Sequence, residues 1–186
     1  MPFITTDFPG LLVYEPKVFE DSRGYFFESY NYNAFAAEGV DMKFVQDNQA
    51  KSSYGVIRGL HYQLNPHAQT KLVRTLQGSI LDVVVDIRIG SPTYGKVFSI
   101  ELSEENKKQL LVPKGFAHGY SVLSETSVVM YKCDGFYNKQ SEGGILYSDP
   151  LLDIDWKIPA DKVIVSEKDV VLNGINKCDT NFLFEV

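Results

Sequence analysis

The chain has 186 residues, of which 44% are hydrophobic and 23% charged. These values are those of an ordinary globular protein, and they exclude a disordered chain, a collagen and a charge-rich coiled coil. At about 150 residues per domain, the length predicts one domain spanning residues 1–186. The net charge of −6 excludes a general basic surface for nucleic acid.

The sequence predicts neither an export signal nor a membrane segment. Residues 1–16 lack a basic start and a long apolar core, and apolar runs such as 83–85 are too short to span a bilayer. Cys133 and Cys178 share no short metal-ligand spacing, so we expect free thiols. We therefore expect a cytoplasmic protein without a membrane partner.

Apolar and polar residues alternate over many short segments, and this pattern predicts strands. Within 79–90, Leu81, Val83, Val85 and Ile87 share one face, and the other face leans polar through residues such as Asp82. Turn signals rich in Gly, Pro and Ser separate the segments. The strand segments in chain order are 56–63, 71–78, 79–90, 96–102, 109–113, 119–123 and 127–132.

Helix signals are few. Residues 31–38 predict a short helix that ends at Gly39, Ser103 begins a possible single turn, and residues 166–172 suggest a turn or short helix. The apolar C-terminal run 182–186 is expected to be tied down. Many short strands with few helices predict a mainly β, cupin-type jelly-roll barrel.

His61 and His118 are the main candidates for acid–base chemistry, whereas His67 follows Asn65-Pro66 in a predicted loop. Residues 113–118 match Pro-x-Gly-x-x-His, the core of the second cupin motif. The metal-binding cupins also need His-x-His followed by Glu, but here His61 is followed by Tyr62 and Gln63. Two imidazoles fall short of a divalent metal site, so we expect no metal.

A neutral imidazole acts best as a base when a carboxylate orients it. Asp82 and Asp169 both qualify, and the spacing does not choose between them. Tyr131 is a candidate proton donor for the opposite face of a substrate. Basic residues next to apolar strand patterns could bind phosphate or an enolate if they project into the barrel; these are Arg23, Arg58, Lys71 and Arg74.

Several motifs in order along residues 2–172 together resemble the dTDP-4-dehydrorhamnose 3,5-epimerase family. The resemblance rests on Asp-Ser-Arg-Gly-Tyr-Phe-Phe-Glu at 21–28, Gln-Asp-Asn at 46–48, Arg-Gly-Leu-His-Tyr-Gln at 58–63, Gly-Phe-Ala-His-Gly at 115–119 and Ser-Glu-Lys-Asp at 166–169. It implies a metal-free cupin without a cofactor, acting as a homodimer on a dTDP-linked 4-keto-6-deoxyhexose.

The resemblance also implies roles for individual residues. His61 would be the base, paired with Asp169, Tyr131 would be the opposite proton donor, and Lys71 would steady the C4 oxyanion, with His118 nearby. Tyr137 would stack on the thymine ring. The remaining implied substrate contacts are Arg23, Glu28, Gln46, Asn48, Arg58, Glu142 and Lys168.

Several alternatives to the 3,5-epimerase stay open. Relatives that invert only C3 can keep the same His and Tyr. A sister cupin that moves the keto group between C4 and C3, a non-catalytic sugar-binding jelly roll and a metal-dependent cupin are further readings. The segment 133–137 also differs from the common family form, which weakens the prediction for the nucleobase contacts.

Overall fold

Two antiparallel sheets form the body of the computed structural model, which describes residues 2–185. Neighbouring strands in each sheet are mostly not consecutive in the chain, as in a jelly roll. The larger sheet has the spatial order β1 (Phe3–Thr5), β2 (Leu12–Tyr14), β10 (Gln109–Val112), β7 (Lys71–Gln77), β12 (Thr126–Cys133) and β5 (Gln46–Ser53). The smaller sheet has the order β13 (Glu142–Gly144), β6 (Ile57–Gln63), β11 (Phe116–Val122), β8 (Ser79–Asp86) and β9 (Val97–Ser103).

The remaining elements are short. A hairpin joins β3 (Phe19–Asp21) to β4 (Gly24–Phe26), and α1 spans Tyr32–Ala37. Single 3-10 turns cover Lys139–Ser141, Ala160–Lys162, Asp169–Val171 and Ile175–Lys177. The predicted mainly β jelly roll with a few short helices is therefore confirmed. No helix in the described range 2–185 is long and apolar enough to cross a membrane.

Each sheet packs against other parts of the chain on both of its faces. Side chains such as Val73, Ile80 and Val129 meet between the sheets. The outer face of the larger sheet is covered by α1, whose Phe35 packs against Tyr14. The outer face of the smaller sheet is covered by the segment 145–182, with Trp156 among its buried residues.

Strand β8 shows the consequence of this double cover. Leu81, Val83 and Val85 face the C-terminal segment, as the alternation predicts. The polar-leaning face is also buried, because it points between the sheets. Asp82 and Asp86 are both 0% exposed there, and each carboxylate has hydrogen-bonding partners.

The predicted helix and chain end are found close to their expected places. Asn31 caps α1 by accepting a hydrogen bond from the Ala34 amide at 3.3 Å. Near the C-terminus, Phe182 is buried, and the Phe184 amide donates to the Ile89 carbonyl at 2.9 Å. Val186, the last residue of the predicted apolar run, lies outside the described residues.

The sequence does not predict strand β5, because Ala50 is its only apolar residue. It forms an edge of the larger sheet, paired only with β12. Alternate residues of β5 point between the sheets, and two of them, Gln46 and Asn48, line a cavity there. A strand that borders a wet cavity needs no apolar face, so hydrophobic alternation does not reveal it.

A β-bulge in β6 sets the direction of two side chains. The register between β11 and β6 shifts between His118, opposite His61, and Tyr120, opposite Arg58. Because of this shift, Arg58 and His61 both reach the space between the sheets although three positions separate them. Gly59 sits in the bulge with φ +110, a conformation that favours glycine.

We predict that Gly59→Ala is much more destabilising than Gly90→Ala. A Cβ at Gly59 would lie 2.6 Å from both the Gly119 Cα and the His118 carbonyl oxygen. Gly90 also has a positive φ, of +86, but a Cβ there meets nothing within 4 Å. In urea unfolding, Gly90→Ala should cost about 1 kcal/mol and Gly59→Ala about 3 kcal/mol or more. Equal decreases in the free energy of unfolding would show that the close approach of Gly59 to β11 does not contribute to the difference.

Candidate active site

The space between the sheets opens into two adjoining cavities. The main cavity has a volume of about 400 Å³, and the side cavity about 180 Å³. His61, Lys71 and Tyr131 line both of them. The main cavity is also lined by Ala50, Val56, Ile57, Arg58, His118, Gly119, Tyr120, Ile164, Val165, Ser166, Lys168 and Asp169. The side cavity is also lined by Gln46, Asn48, Tyr62, Gln63, Gln69, Tyr137 and Glu142.

A strap, residues 163–172, brings a carboxylate to the mouth of the main cavity. The Ile164 amide donates to the Gly55 carbonyl, and its own carbonyl accepts from the Ile57 amide, both at 2.9 Å. Further along, the Asp169 amide donates to the Ser166 carbonyl at 3.0 Å. These backbone contacts fix the strap against β6 and place Asp169 beside His61.

His61 and Asp169 form a close pair. The His61 Nε2 lies 2.7 Å from Asp169 Oδ1, and the Gly59 amide donates to Asp169 Oδ2 at 3.4 Å. The Asp169 side chain is 4% exposed and the His61 side chain 32%. A carboxylate in contact with one ring nitrogen orients the imidazole and leaves the other nitrogen free for a substrate.

The surroundings keep His61 neutral near neutral pH. Burial lowers the pKa of His61, the Asp169 carboxylate raises it, and the cations Lys71 and Lys168 lower it further. The net result is a pKa below the ordinary value. A neutral imidazole held by a carboxylate is ready to accept a proton.

Lys71 and Tyr131 come from neighbouring strands of the larger sheet, β7 and β12. The Lys71 ammonium lies 5.9 Å from the centre of the Tyr131 ring. Burial lowers the pKa of Lys71, and the nearby Cys133 and Asp82 act in the opposite direction. Burial raises the pKa of Tyr131, so its phenol stays protonated at neutral pH.

The second histidine has its own carboxylate. The His118 Nε2 lies 3.0 Å from each oxygen of Asp82, and both side chains are buried. The choice that the sequence left open is thereby resolved: Asp169 pairs with His61, and Asp82 pairs with His118. His67 lies in an exposed loop beside the cis Asn65-Pro66 bond and lines neither cavity.

Polar side chains border the side cavity. Gln46 Nε2 donates to Asn48 Oδ1 at 3.0 Å, and Tyr137 donates to Glu142 Oε2 at 3.1 Å. Lys168 forms an ion pair with Glu142. This pair connects the mouths of the two cavities, since Lys168 borders one and Glu142 the other.

Arg23 and Glu28 lie outside both cavities. Arg23 belongs to the loop of the β3–β4 hairpin, where it pairs with Asp21 at 2.6 Å and its side chain is 87% exposed. Glu28 accepts a hydrogen bond from Asn31 at 3.1 Å. The other site residues that the resemblance implies line one or both cavities. Arg74, which only the strand pattern suggested, lines neither cavity, and its guanidinium lies 5.0 Å from the centre of the Phe27 ring.

Sequence reasoning missed Tyr120, which lines the main cavity. Ser52 Oγ accepts a hydrogen bond from Arg58 Nε at 3.1 Å, and Tyr120 lies opposite Arg58 in the register. Tyr120 follows His118 by two positions on a strand, so strand alternation could have placed it on the same face.

Metal-ligating side chains do not gather in the part of the chain that the structure describes. No group of three His, Cys, Asp or Glu residues in that part has a geometry that could hold a metal ion. His61 and His118 each face a single carboxylate instead.

Comparison with known proteins gives a consistent picture. A sequence model of the dTDP-4-dehydrorhamnose 3,5-epimerase family matches residues 5–177. The chain is 50% identical to the dTDP-4-dehydrorhamnose 3,5-epimerase of Shigella flexneri over 98% of this chain and 99% of that protein.

Solved structures agree with the sequence comparison. The 3,5-epimerase of Legionella pneumophila, solved with dTDP-4-keto-L-rhamnose, is 43% identical with a TM-score of 0.94 over 99% of this chain and 98% of that one. ChmJ, a 3′-monoepimerase of Streptomyces bikiniensis solved with dTDP-quinovose, is 30% identical with a TM-score of 0.85, covering 92% and 86% of the two chains.

We predict that Asp169→Asn lowers the pKa of the His61 imidazole further. The carboxylate favours the charged ring, so its removal leaves burial and the two lysines to act unopposed. An NMR titration of the ring nitrogens measures the change, with the exposed His67 as internal reference. An unchanged or higher pKa of His61 would contradict the role given to Asp169.

Proposed function

Because the chain belongs to the dTDP-4-dehydrorhamnose 3,5-epimerase family, we propose that it inverts C3 and C5 of dTDP-4-dehydro-6-deoxyglucose to give dTDP-4-dehydro-L-rhamnose. It is thus an isomerase that acts on a nucleotide sugar. One observation carries the proposal: the His61–Asp169 pair, Lys71 and Tyr131 line one cavity.

The reaction begins with removal of a proton beside the C4 ketone. Carbons C3 and C5 both flank this ketone, so loss of either proton gives an enolate whose negative charge falls on the C4 oxygen. His61 takes the proton, and the imidazolium that forms is stabilised by Asp169 at 2.7 Å. His61 serves both carbons in turn, because exchange with solvent removes its proton and returns one to Tyr131 between the two inversions.

Lys71 stabilises the enolate. An ammonium in an enclosed site favours charge that develops on the C4 oxygen more strongly than it would in water. Burial lowers the pKa of Lys71, and the nearby Cys133 and the Asp82 carboxylate, which lies beside His118, counter this effect. Asp82 therefore favours the charged form of Lys71.

Tyr131 returns a proton from the opposite face of the ring. Inversion needs an acid and a base on two sides of the carbon, and β12 and β6 stand in opposite sheets. The raised pKa of Tyr131 supports its role as a proton donor, since the phenol is protonated before the enolate forms. Neither step requires a cofactor or a metal.

The nucleotide is bound by the polar residues around the side cavity and by cations near the mouth. The exposed Tyr137 ring offers a surface for stacking on thymine, while Gln46 and Asn48 offer amides to hydroxyl or base edges. Arg58 and Lys168 bring positive charge to the diphosphate.

A C3-only epimerase is the second candidate. It is favoured by the likeness to ChmJ, a 3′-monoepimerase with nearly the same fold. Both reactions use one base beside the C4 ketone, so the static site does not separate them. The two reactions are distinguished by whether the hydrogen on C3 alone, or the hydrogens on both C3 and C5, exchange with solvent.

We further propose a homodimer in which Arg23 and Glu28 reach the partner's cavity. Both belong to the expected substrate contacts, yet both lie outside the cavities of their own chain. The hairpin that bears Arg23 also exposes Phe19, Tyr25 and Phe26, an apolar surface suited to an interface.

The free thiols Cys133 and Cys178 fit a cytoplasmic location.

In deuterated water, the enzyme should incorporate deuterium at C3 and C5 of dTDP-4-keto-6-deoxyglucose, as followed by NMR. His61→Ala should abolish exchange at both carbons, because the base is gone. Circular dichroism and size-exclusion chromatography check that the variant is folded. Exchange at C3 alone would indicate a monoepimerase. A product with a 3-keto group would indicate the cupin that moves the keto group between C4 and C3. Absence of exchange with folded wild-type protein would refute epimerisation.

Mixed dimers test the shared site. Arg23→Ala and His61→Ala chains, each impaired alone, are co-expressed with different tags. If Arg23 acts in the partner's cavity, one site of every mixed dimer is intact. Random pairing then restores about a quarter of wild-type activity.

The matched control is a mixture of His61→Ala and Asp169→Asn chains. These two residues touch within one chain, so every site keeps a defect and no activity should return. If the Arg23→Ala mixture also stays inactive while mixed dimers form, Arg23 does not complete the partner's site.

A further inference from the structure

The ring of Tyr137 needs contacts other than packing to fix its position. Tyr137 lines the side cavity, yet the residue is 56% exposed. It belongs to the loop 134–138, which connects the end of β12 to the 3-10 turn Lys139–Ser141. A mobile ring on such a loop would lose conformational freedom when a base stacks on it, and this loss would weaken binding.

The side-chain amide of Gln63 bonds to the backbone on both sides of Tyr137. Gln63 Oε1 accepts a hydrogen bond from the Asn138 amide at 2.6 Å, and Gln63 Nε2 donates to the Phe136 carbonyl at 3.5 Å. The same nitrogen donates to the His67 carbonyl at 2.8 Å. Gln63 lies on β6 and is 7% exposed, so the residues before and after Tyr137 are both joined to a buried side chain.

Glu142 holds the other end of Tyr137. The Tyr137 hydroxyl donates to Glu142 Oε2 at 3.1 Å. Glu142 on β13 lies directly opposite Gln63 on β6, and both line the side cavity. One cross-strand pair therefore fixes both the backbone and the hydroxyl of Tyr137.

The start of the loop has anchors of its own. Gln69 Nε2 donates to the Gly135 carbonyl at 2.6 Å, and Asp134 Oδ1 accepts from the Thr70 amide at 2.7 Å. Neither bond involves Gln63. Loss of the Gln63 amide would therefore loosen the segment 136–138 while the loop stayed attached to the larger sheet.

We propose that Gln63 is a positioning residue for nucleotide binding, whose amide holds the Tyr137 ring where it stacks on the base. The inference rests on the proposed function and deepens it, because the family resemblance assigns Gln63 no role. Gln63 acts through Tyr137 and not on the reacting carbons. It therefore affects nucleotide affinity and leaves the chemical step unchanged.

Gln63→Met removes the amide and keeps a side chain of similar length. Calorimetric titration with dTDP should show binding about threefold to tenfold weaker than for wild type, because the ligand then has to order the ring. In the deuterium-exchange assay, KM for dTDP-4-keto-6-deoxyglucose should rise while kcat stays within about twofold of wild type. Gln63→Asn, which shortens the side chain by one methylene group, should give the same result and replaces Gln63→Met if that variant does not fold.

Gln140→Met is the matched control. It is the same substitution three positions after Tyr137, at an exposed residue that lines neither cavity. Binding of dTDP by this variant should equal that of wild type.

A double-mutant cycle separates positioning from a general structural effect. Tyr137→Ala alone should weaken dTDP binding about fivefold to a hundredfold, which is the range for loss of one stacking contact with a base. In the Tyr137→Ala background, Gln63→Met should weaken binding by less than about twofold more, because the ring that it positions is gone. A general structural role would give the same loss in both backgrounds.

Equal losses in the two backgrounds, or unchanged dTDP binding by Gln63→Met, would overturn the proposal. Unchanged binding by Tyr137→Ala would also overturn it, since no stacking ring would then need to be positioned. In each of these cases, wild-type protein that binds dTDP and exchanges deuterium would still support the proposed function. Wild-type protein that does neither would refute the proposed function itself.

Discussion

The site depends on the close contact between β6 and β11 where Gly59 meets Gly119. At this point the backbones approach so closely that neither position has room for a Cβ. The bulge that accompanies the contact turns Arg58 and His61 into the same cavity. Without it, strict alternation would point one of these two residues into the outer core, and the base and the cation could not face one substrate.

Burial and neighbouring groups have opposite effects on the pKa values of His61 and Lys71. Burial lowers the pKa of both His61 and Lys71. Asp169 counters that effect at His61, and Cys133 and Asp82 counter it at Lys71. His61 is thereby suited to accept a proton, while the positive charge of Lys71 is supported. A low dielectric destabilises an unpaired buried ion, but it strengthens the attraction between that ion and an enolate. The same burial therefore lowers the stability of the fold and favours catalysis.

Local sequence patterns predicted the central strands and most cavity residues, because alternation and turn signals act over a few residues. They did not pair His61 with Asp169, since 108 positions separate the two and only the docking of the strap brings them together. The polar β5 was missed because it borders a cavity. The glycine within Arg58-Gly59-Leu60-His61 is the local signal that could have indicated the bulge.

The strap both seals the smaller sheet and carries the partner of the base. Its backbone bonds to Gly55 and Ile57 are few, whereas the sheets beneath it are held by long ladders. A local opening of the strap would separate Asp169 from His61 and abolish activity while the jelly roll remained folded. On heating or in mild denaturant, activity would thus be lost before the β-sheet signal in circular dichroism. A molecule with an open strap would be inactive, and it would not act on other substrates.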